Sequence, residues 1–256
     1  MVKFQHWGDV IMGNRFKSLV AGCIGATAVC LAAGTVAAGE LPHVKSYIEL
    51  NHIASTGMQT YPGLSLVEFF DYAPRFSNDA LIDEVTMLGI TSTYIDAPYH
   101  VDPAGAKIAD YSLEKLVNLP VVVITKPDSR LDFEIRDFHG KDVRGKAVLL
   151  FSGHDKYWNT PQYGVDVPYL SLDAAKWLVD NGAVLVGIDS PLIDNYANNP
   201  ASVVHHELLD NGLVIAEDMT NIGALPKHHA YLTAVPPRVP MTSFMARIFA
   251  TVYDND

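Results

Sequence analysis

Four short apolar runs, at 119–125, 147–151, 183–188 and 213–216, alternate with helical patterns, and this alternation confines the chain to an α/β architecture. Each run has the length and the Val, Ile and Leu content of a buried strand. Between the second and third lies a helix: Ser171 is its N-cap, Leu172, Ala175, Leu178 and Val179 form its apolar stripe, and Asn181-Gly182 ends it. Residues 203–209 read as another helix, ended by Asn211-Gly212, and 112–117 as a shorter one capped by Ser112. Residues 45–51 read as an opening strand with Val44, Ser46, Ile48 and Leu50 on one face; 229–235 and 243–252 read as closing strands.

The chain has 256 residues and is 49% hydrophobic, which suffices for one sizeable core, and no linker divides it. Its 18 Lys+Arg against 29 Asp+Glu include no basic cluster, so the expected partner is a small molecule and not nucleic acid. Arg15 and Lys17 precede an apolar stretch, 19–38, that ends in Val36-Ala37-Ala38, the pattern of a cleavable signal peptide. The expected organisation is a leader over 1–38 and one folded domain over 39–256, exported to the periplasm or secreted, with no stable membrane anchor after cleavage. Two other readings of the leader are an uncleaved anchor, since the stretch can span a bilayer, and a lipoprotein site at Val20-Ala21-Gly22-Cys23. Both cysteines, Cys23 and Cys30, fall inside the leader. A mature chain without them has no thiolate nucleophile, no zinc–thiolate site and no disulfide.

The chemistry concentrates in Thr93-Tyr94-Ile95-Asp96-Ala97-Pro98-Tyr99-His100. If this segment is extended, Tyr94, Asp96, Pro98 and His100 share a face, with Pro98 stiffening the chain between acid and imidazole. A metal-assisted hydrolase needs such a pair: an oxygen ligand and a nearby base that the metal does not consume. The same spacing also occurs in hydrogen-bonded loops. A second pair follows in His205 and Glu217, the first on a helix and the second at the end of the next strand, so a helix–turn–strand unit can bring them together. On a helix His205 and His206 point about 100° apart, so one of the two faces the site.

The first segment resembles the signature of the cyclase family, which includes bacterial arylformamidases (kynurenine formamidases) and isatin hydrolases: His-x-Gly-Thr-His-x-Asp-x-Pro-x-His. Thr93, Asp96, Pro98 and His100 match it; the two earlier histidines fall on Ile90 and Tyr94, and the glycine on Ser92. Further blocks are similar to the family in order: Ile48-Glu49-Leu50-Asn51-His52 with Tyr61-Pro62-Gly63, Phe151-Ser152-Gly153-His154, Gly187-Ile188-Asp189-Ser190-Pro191, and the stretch from Val204 to Asn221. The resemblance implies a swivelling β/β/α fold with a compact mixed sheet core and flanking helices, and assembly into a homodimer or higher homo-oligomer.

Carried over position by position, it implies Asp96, His205 and Glu217 as metal ligands and His100 as proton shuttle. In two-metal members the two earlier signature histidines complete one of the sites. Ile90 cannot ligate, and Tyr94 could do so only as a phenolate, with a reference pKa of about 10. One divalent ion, zinc or manganese, is therefore expected, with three protein ligands and an open position. Tyr94, Tyr61 and Trp158 are expected at the substrate, with the aromatics of 69–72 forming a wall there or an oligomer interface. His52 and His154 are auxiliary candidates. The expected activity is metal-dependent hydrolysis of a small cyclic or aryl amide, lactam or ester. The alternatives are a metal-dependent lyase or cyclase, and a catalytically inactive periplasmic small-molecule-binding homologue.

Overall fold

The computed structural model describes residues 43–58, 61, 63–72, 82–126, 128–195, 197–198 and 201–254; the leader expected over 1–38 lies outside these residues. Among the described residues, thirteen strands and two α-helices follow in chain order. The strands are β1 (Val44–Glu49), β2 (Glu68–Tyr72), β3 (Ile82–Thr86), β4 (Tyr94–Asp96), β5 (Leu119–Thr125), β6 (Asp132–Phe133), β7 (Ala147–Phe151) and β8 (Tyr169–Leu170). Helix α1 (Leu172–Asp180), β9 (Leu185–Ile188), α2 (Val203–Asp210), β10 (Val214–Glu217), β11 (Ala230–Val235), β12 (Ser243–Met245) and β13 (Arg247–Tyr253) complete the set.

Nine strands form one mixed sheet in the order β1-β13-β11-β5-β7-β9-β10-β4-β12. The four apolar runs supply its parallel centre, β5-β7-β9-β10. Strands β12 and β13 are one bent strand with its corner at Ala246, where the expected continuous strand over 243–252 breaks. Its first arm pairs with β4 and its second with β1 and β11. The bent strand therefore links the two ends of the row, and a bridge between Asn51 and Met219 ties the chain just after β1 to the chain just after β10.

Strand alternation sorts the side chains. Ala147, Leu149, Leu185, Ala216 and Ile95 point inward with Ala234 and Ile248. Val148, Leu150, Val186, Ile188 and Ile215 point outward against Leu178 of α1 and Leu208 of α2. Gly187 falls on the inner face, where a Cβ would lie 2.4 Å from Met219 Sδ and 2.7 Å from Leu149 Cδ2, so glycine is required there. Helix α1 is capped as expected: Ser171 Oγ accepts the Ala174 N–H, and Gly182 follows Asn181 with a φ of +75°.

Three further local expectations change. The segment from Tyr94 to His100 is extended only to Asp96; Pro98–His100 form a 3-10 turn, because Pro98 starts a turn in which His100 N–H donates to the Ala97 carbonyl. The short helix at 112–117 is a 3-10 turn, Leu113–Lys115, followed by a single α-type bond from the Val117 N–H to the Leu113 carbonyl. Strand β5 is buried at Leu119 and Ile124 but only half-buried at Val121–Val123, because β11 pairs with it solely at Leu119 and Pro120. Strands β2 and β3 form a separate hairpin that exposes Phe69, Phe70, Ile82 and Val85.

Candidate metal centre

Sheet register builds the site. Strand β4 lies between β10 and β12, placing Asp96 opposite Ile215 on one side and Ser243 on the other, and Tyr94 opposite Glu217. Ile95 points into the inner core, so Tyr94 and Asp96 point to the outer face, which α2 covers. Glu217, two residues beyond the outward Ile215, joins them.

Helix α2 presents His205 to this face. His205 is buried, whereas His206 is exposed and pairs with Asp210 at 3.2 Å. The helix starts from Ser202, a residue in left-handed conformation whose side chain makes no cap. Its N-terminus is held by Asp194, which accepts the N–H groups of Val204 (2.8 Å) and His205 (3.0 Å) and also His205 Nδ1. An ionised carboxylate only accepts hydrogen bonds, so Nδ1 carries the hydrogen and Nε2 is left to coordinate. Nε2 lies 3.4 Å from Glu217 Oε1 and 3.8 Å from Asp96 Oδ2.

Asp96, His205 and Glu217 each offer a ligand atom within 4.8 Å of the others, and all three are buried. Asp96 Oδ1 accepts from the Ser243 hydroxyl, while Oδ2 is buried with no hydrogen-bond partner. Glu217 Oε1 accepts the Ile193 N–H at 2.6 Å and Oε2 accepts the Tyr94 hydroxyl. An orphaned carboxylate oxygen facing an imidazole nitrogen and a second carboxylate is costly in an apolar interior. A divalent cation satisfies all three at once, so the residues present fit a metal ion.

The electrostatics agree. Burial raises the Glu217 carboxyl to about 7, with His205 opposing and Asp96 adding to the rise. Burial lowers the His205 imidazole, but Glu217, Asp194 and Asp96 outweigh it and lift it to about 9. Burial pushes the Asp194 carboxyl up, and its bonds from His205 and the Val204 backbone more than offset this. Burial also holds Asp218 well above the usual carboxylate range, against a 2.7 Å hydrogen bond from the Tyr163 hydroxyl.

The turn after Asp96 brings His100 back to the site. Its Nδ1 stands 3.2 Å from Ser243 Oγ and 3.9 Å from Asp96 Oδ1, and its ring centroid 5.5 Å from that of His205. Of the other expected residues, Tyr94 adjoins a ligand, whereas the contacts of Trp158, His52 and His154 are made elsewhere. Tyr94 is buried with its hydroxyl on Glu217, so the expected substrate contact is replaced by one to a ligand carboxylate. Trp158 stacks on His52 at 4.1 Å and meets the Tyr163 ring edge-on at 5.2 Å. Burial lowers the His52 imidazole to about 4, with Asp155 opposing. His154 Nε2 bonds the Tyr163 carbonyl at 2.8 Å, which pins its own loop. Tyr61 is on the surface. Reading the sequence missed Asp194, Ser243, Tyr163 and Asp218. No local signal pointed to Asp194, because Ser202, of a preferred cap type, stands directly before α2.

Comparison with known proteins matches this architecture. The family described as "Putative cyclase" matches residues 48–195. Kynurenine formamidase of Bacillus cereus is 26% identical over 175 residues, spanning 68% of this chain and 81% of that protein. The structure of isatin hydrolase A from Labrenzia aggregata bound to benzyl benzoate superimposes with a TM-score of 0.71 at 20% identity, covering 82% of this chain and 94% of that one. A structure described as a potential metal-dependent hydrolase with cyclase activity gives 0.69 at 20% identity, covering 82% and 99%. At such identities the structural likeness is one of fold, and the sheet core with flanking helices is shared. With its match extending over more than half the sequence, the chain belongs to the cyclase family.

Proposed function

We propose that this protein is a metal-dependent hydrolase of small cyclic or aryl amides, lactams or esters, working with one divalent ion. The observation that carries the reading is the buried trio of Asp96, His205 and Glu217 around the unpartnered Asp96 Oδ2. Its nitrogen and oxygen donors, without thiolate, suit zinc or manganese. When bound, such an ion supplies Lewis-acid polarisation of a carbonyl and a water of lowered pKa.

The chain's own residues do the rest. Asp194 and Ser243 hold the ligands in place through their second atoms. His100 is positioned to take a proton from the attacking water as the new C–O bond forms. It then returns that proton to the leaving nitrogen or oxygen as the old bond breaks. The half-buried Trp158–His52 stack borders the site through Tyr163 and suits a flat substrate. The likeness to kynurenine formamidase and to isatin hydrolase supports C–N bonds outside peptides as the target.

The proposal extends to export through the 1–38 leader and to self-association, for which the apolar hairpin of β2 and β3 is the available surface. N-terminal sequencing of the mature protein and light scattering test these two points. The activity is tested by elemental analysis of protein purified without chelator, followed by assay on N-formylaniline, isatin and phenyl acetate. About one ion per chain and turnover on at least one substrate are expected, and His100→Ala keeps the ion while losing roughly 10²–10⁴-fold in rate. A protein that holds no ion and turns over none of them is the inactive binding homologue instead.

A further inference from the structure

We propose that Ser243 is a positioning residue that sets the tautomer of His100, an inference resting on the reading of His100 as the proton-accepting group. Ser243 is fully buried at the head of β12, in register with Asp96. Its hydroxyl reaches two partners: Asp96 Oδ1, and His100 Nδ1 at 3.2 Å. A serine hydroxyl has one proton to give. An ionised carboxylate can only accept, so that proton goes to Asp96. Toward His100 the same oxygen is then an acceptor, and Nδ1 must carry the hydrogen. A neutral imidazole has one N–H, so the lone pair is left on Nε2.

This is the tautomer a base requires. The Asp96 side chain is fully buried, while that of His100 is 35% exposed. With Nδ1 held on the buried side, Nε2 is on the accessible side. The opposite tautomer would point an N–H where a lone pair must receive the water's proton. The serine also divides the labour of Asp96: Oδ1 is satisfied by the hydroxyl, and Oδ2 is the oxygen left without a partner. One hydroxyl thus selects both the carboxylate oxygen left free to hold an ion and the imidazole nitrogen left free to accept a proton.

The test combines ring ¹⁵N NMR of histidine-labelled, zinc-loaded protein with steady-state kinetics on N-formylaniline. The wild type is expected to show His100 with hydrogen on Nδ1 and a bare Nε2. Ser243→Ala is expected to give mixed tautomers, to weaken zinc binding through the loss of the Asp96 Oδ1 partner, and, with zinc kept saturating, to lower kcat roughly 10–100-fold with KM changed less than about threefold. Ser243→Thr, which keeps the hydroxyl, is expected to restore both the NMR signature and kcat. A wild-type His100 protonated on Nε2 overturns the proposal, as does a Ser243→Ala protein with full kcat when His100→Ala is inactive. A loss of zinc affinity with kcat unchanged at saturating zinc also overturns it, because the serine would then act through Asp96 alone. A fully active His100→Ala protein would instead defeat the base reading itself. Should Ser243→Thr fold poorly, the tautomer in the wild type and in Ser243→Ala still decides.

Discussion

The carboxylate of Asp194 accepts a hydrogen bond from His205 Nδ1 while capping the helix that carries His205. Folding of α2 and orientation of a metal-binding nitrogen therefore depend on the same side chain. Asp194→Ala is expected to lower thermal stability by about 0.5–2 kcal/mol through loss of the cap. It is also expected to weaken zinc binding roughly 10–100-fold, because His205 loses its fixed tautomer. Calorimetry of the metal-free protein and zinc titration separate the two effects. Unchanged zinc affinity would show that His205 is oriented by packing alone.

Ligand charge and helix phase give a second contrast. Glu217→Gln is expected to weaken metal binding far more than His206→Ala, since Glu217 is buried beside His205 and Asp96 while His206 faces solvent beside Asp210. Competition with a fluorescent chelator measures both. A greater loss in His206→Ala than in His205→Ala would put the site on the wrong face of α2.

Tyr94 supplies the third prediction. Its hydroxyl donates to Glu217 Oε2 in a fully buried setting. Tyr94→Phe leaves that oxygen without its donor, at an expected cost of about 1–3 kcal/mol in the metal-free protein. The number of bound ions is expected to remain one, read by elemental analysis, because phenylalanine adds no ligand.

The pH dependence of stability has a definite sign. In the metal-free protein His205 is raised from 6.5 to about 9 by its three carboxylate neighbours, against the effect of burial. Its charged form stabilises the fold fully below pH 6.5, and that contribution is lost as pH rises through 9. Glu217, raised by burial from 4.5 to about 7, acts in the same direction, since its ionisation is disfavoured in the fold. The melting temperature of metal-free protein should therefore fall between pH 7 and 9. Zinc-loaded protein should show a smaller fall, because coordination has already displaced the His205 proton. Melting curves at pH 7, 8 and 9 with and without zinc check this, and parallel curves would count against His205 as a ligand.

The sequence by itself determined the alternating strands and helices at the centre of the sheet, the Ser171 cap of α1, and the separation of His205 from His206 on α2. These rest on periodicity and capping, which are local and readable over a few residues. The tertiary structure decided what touches what. Ser243 and Asp96 are 147 residues apart and meet only because β12 pairs with β4 in one particular register. Tyr94 and Glu217, 123 residues apart, meet through the register of β10 with β4. The strand expected through Tyr94–His100 ends at Asp96, because Pro98 turns the chain and carries His100 back over the site. Asp194 replaces Ser202 as the cap of α2 because the loop before the helix folds its carboxylate onto the helix end. Local pattern sets which face a residue takes; long-range pairing sets which residues share that face, and the candidate metal centre is made of such pairings.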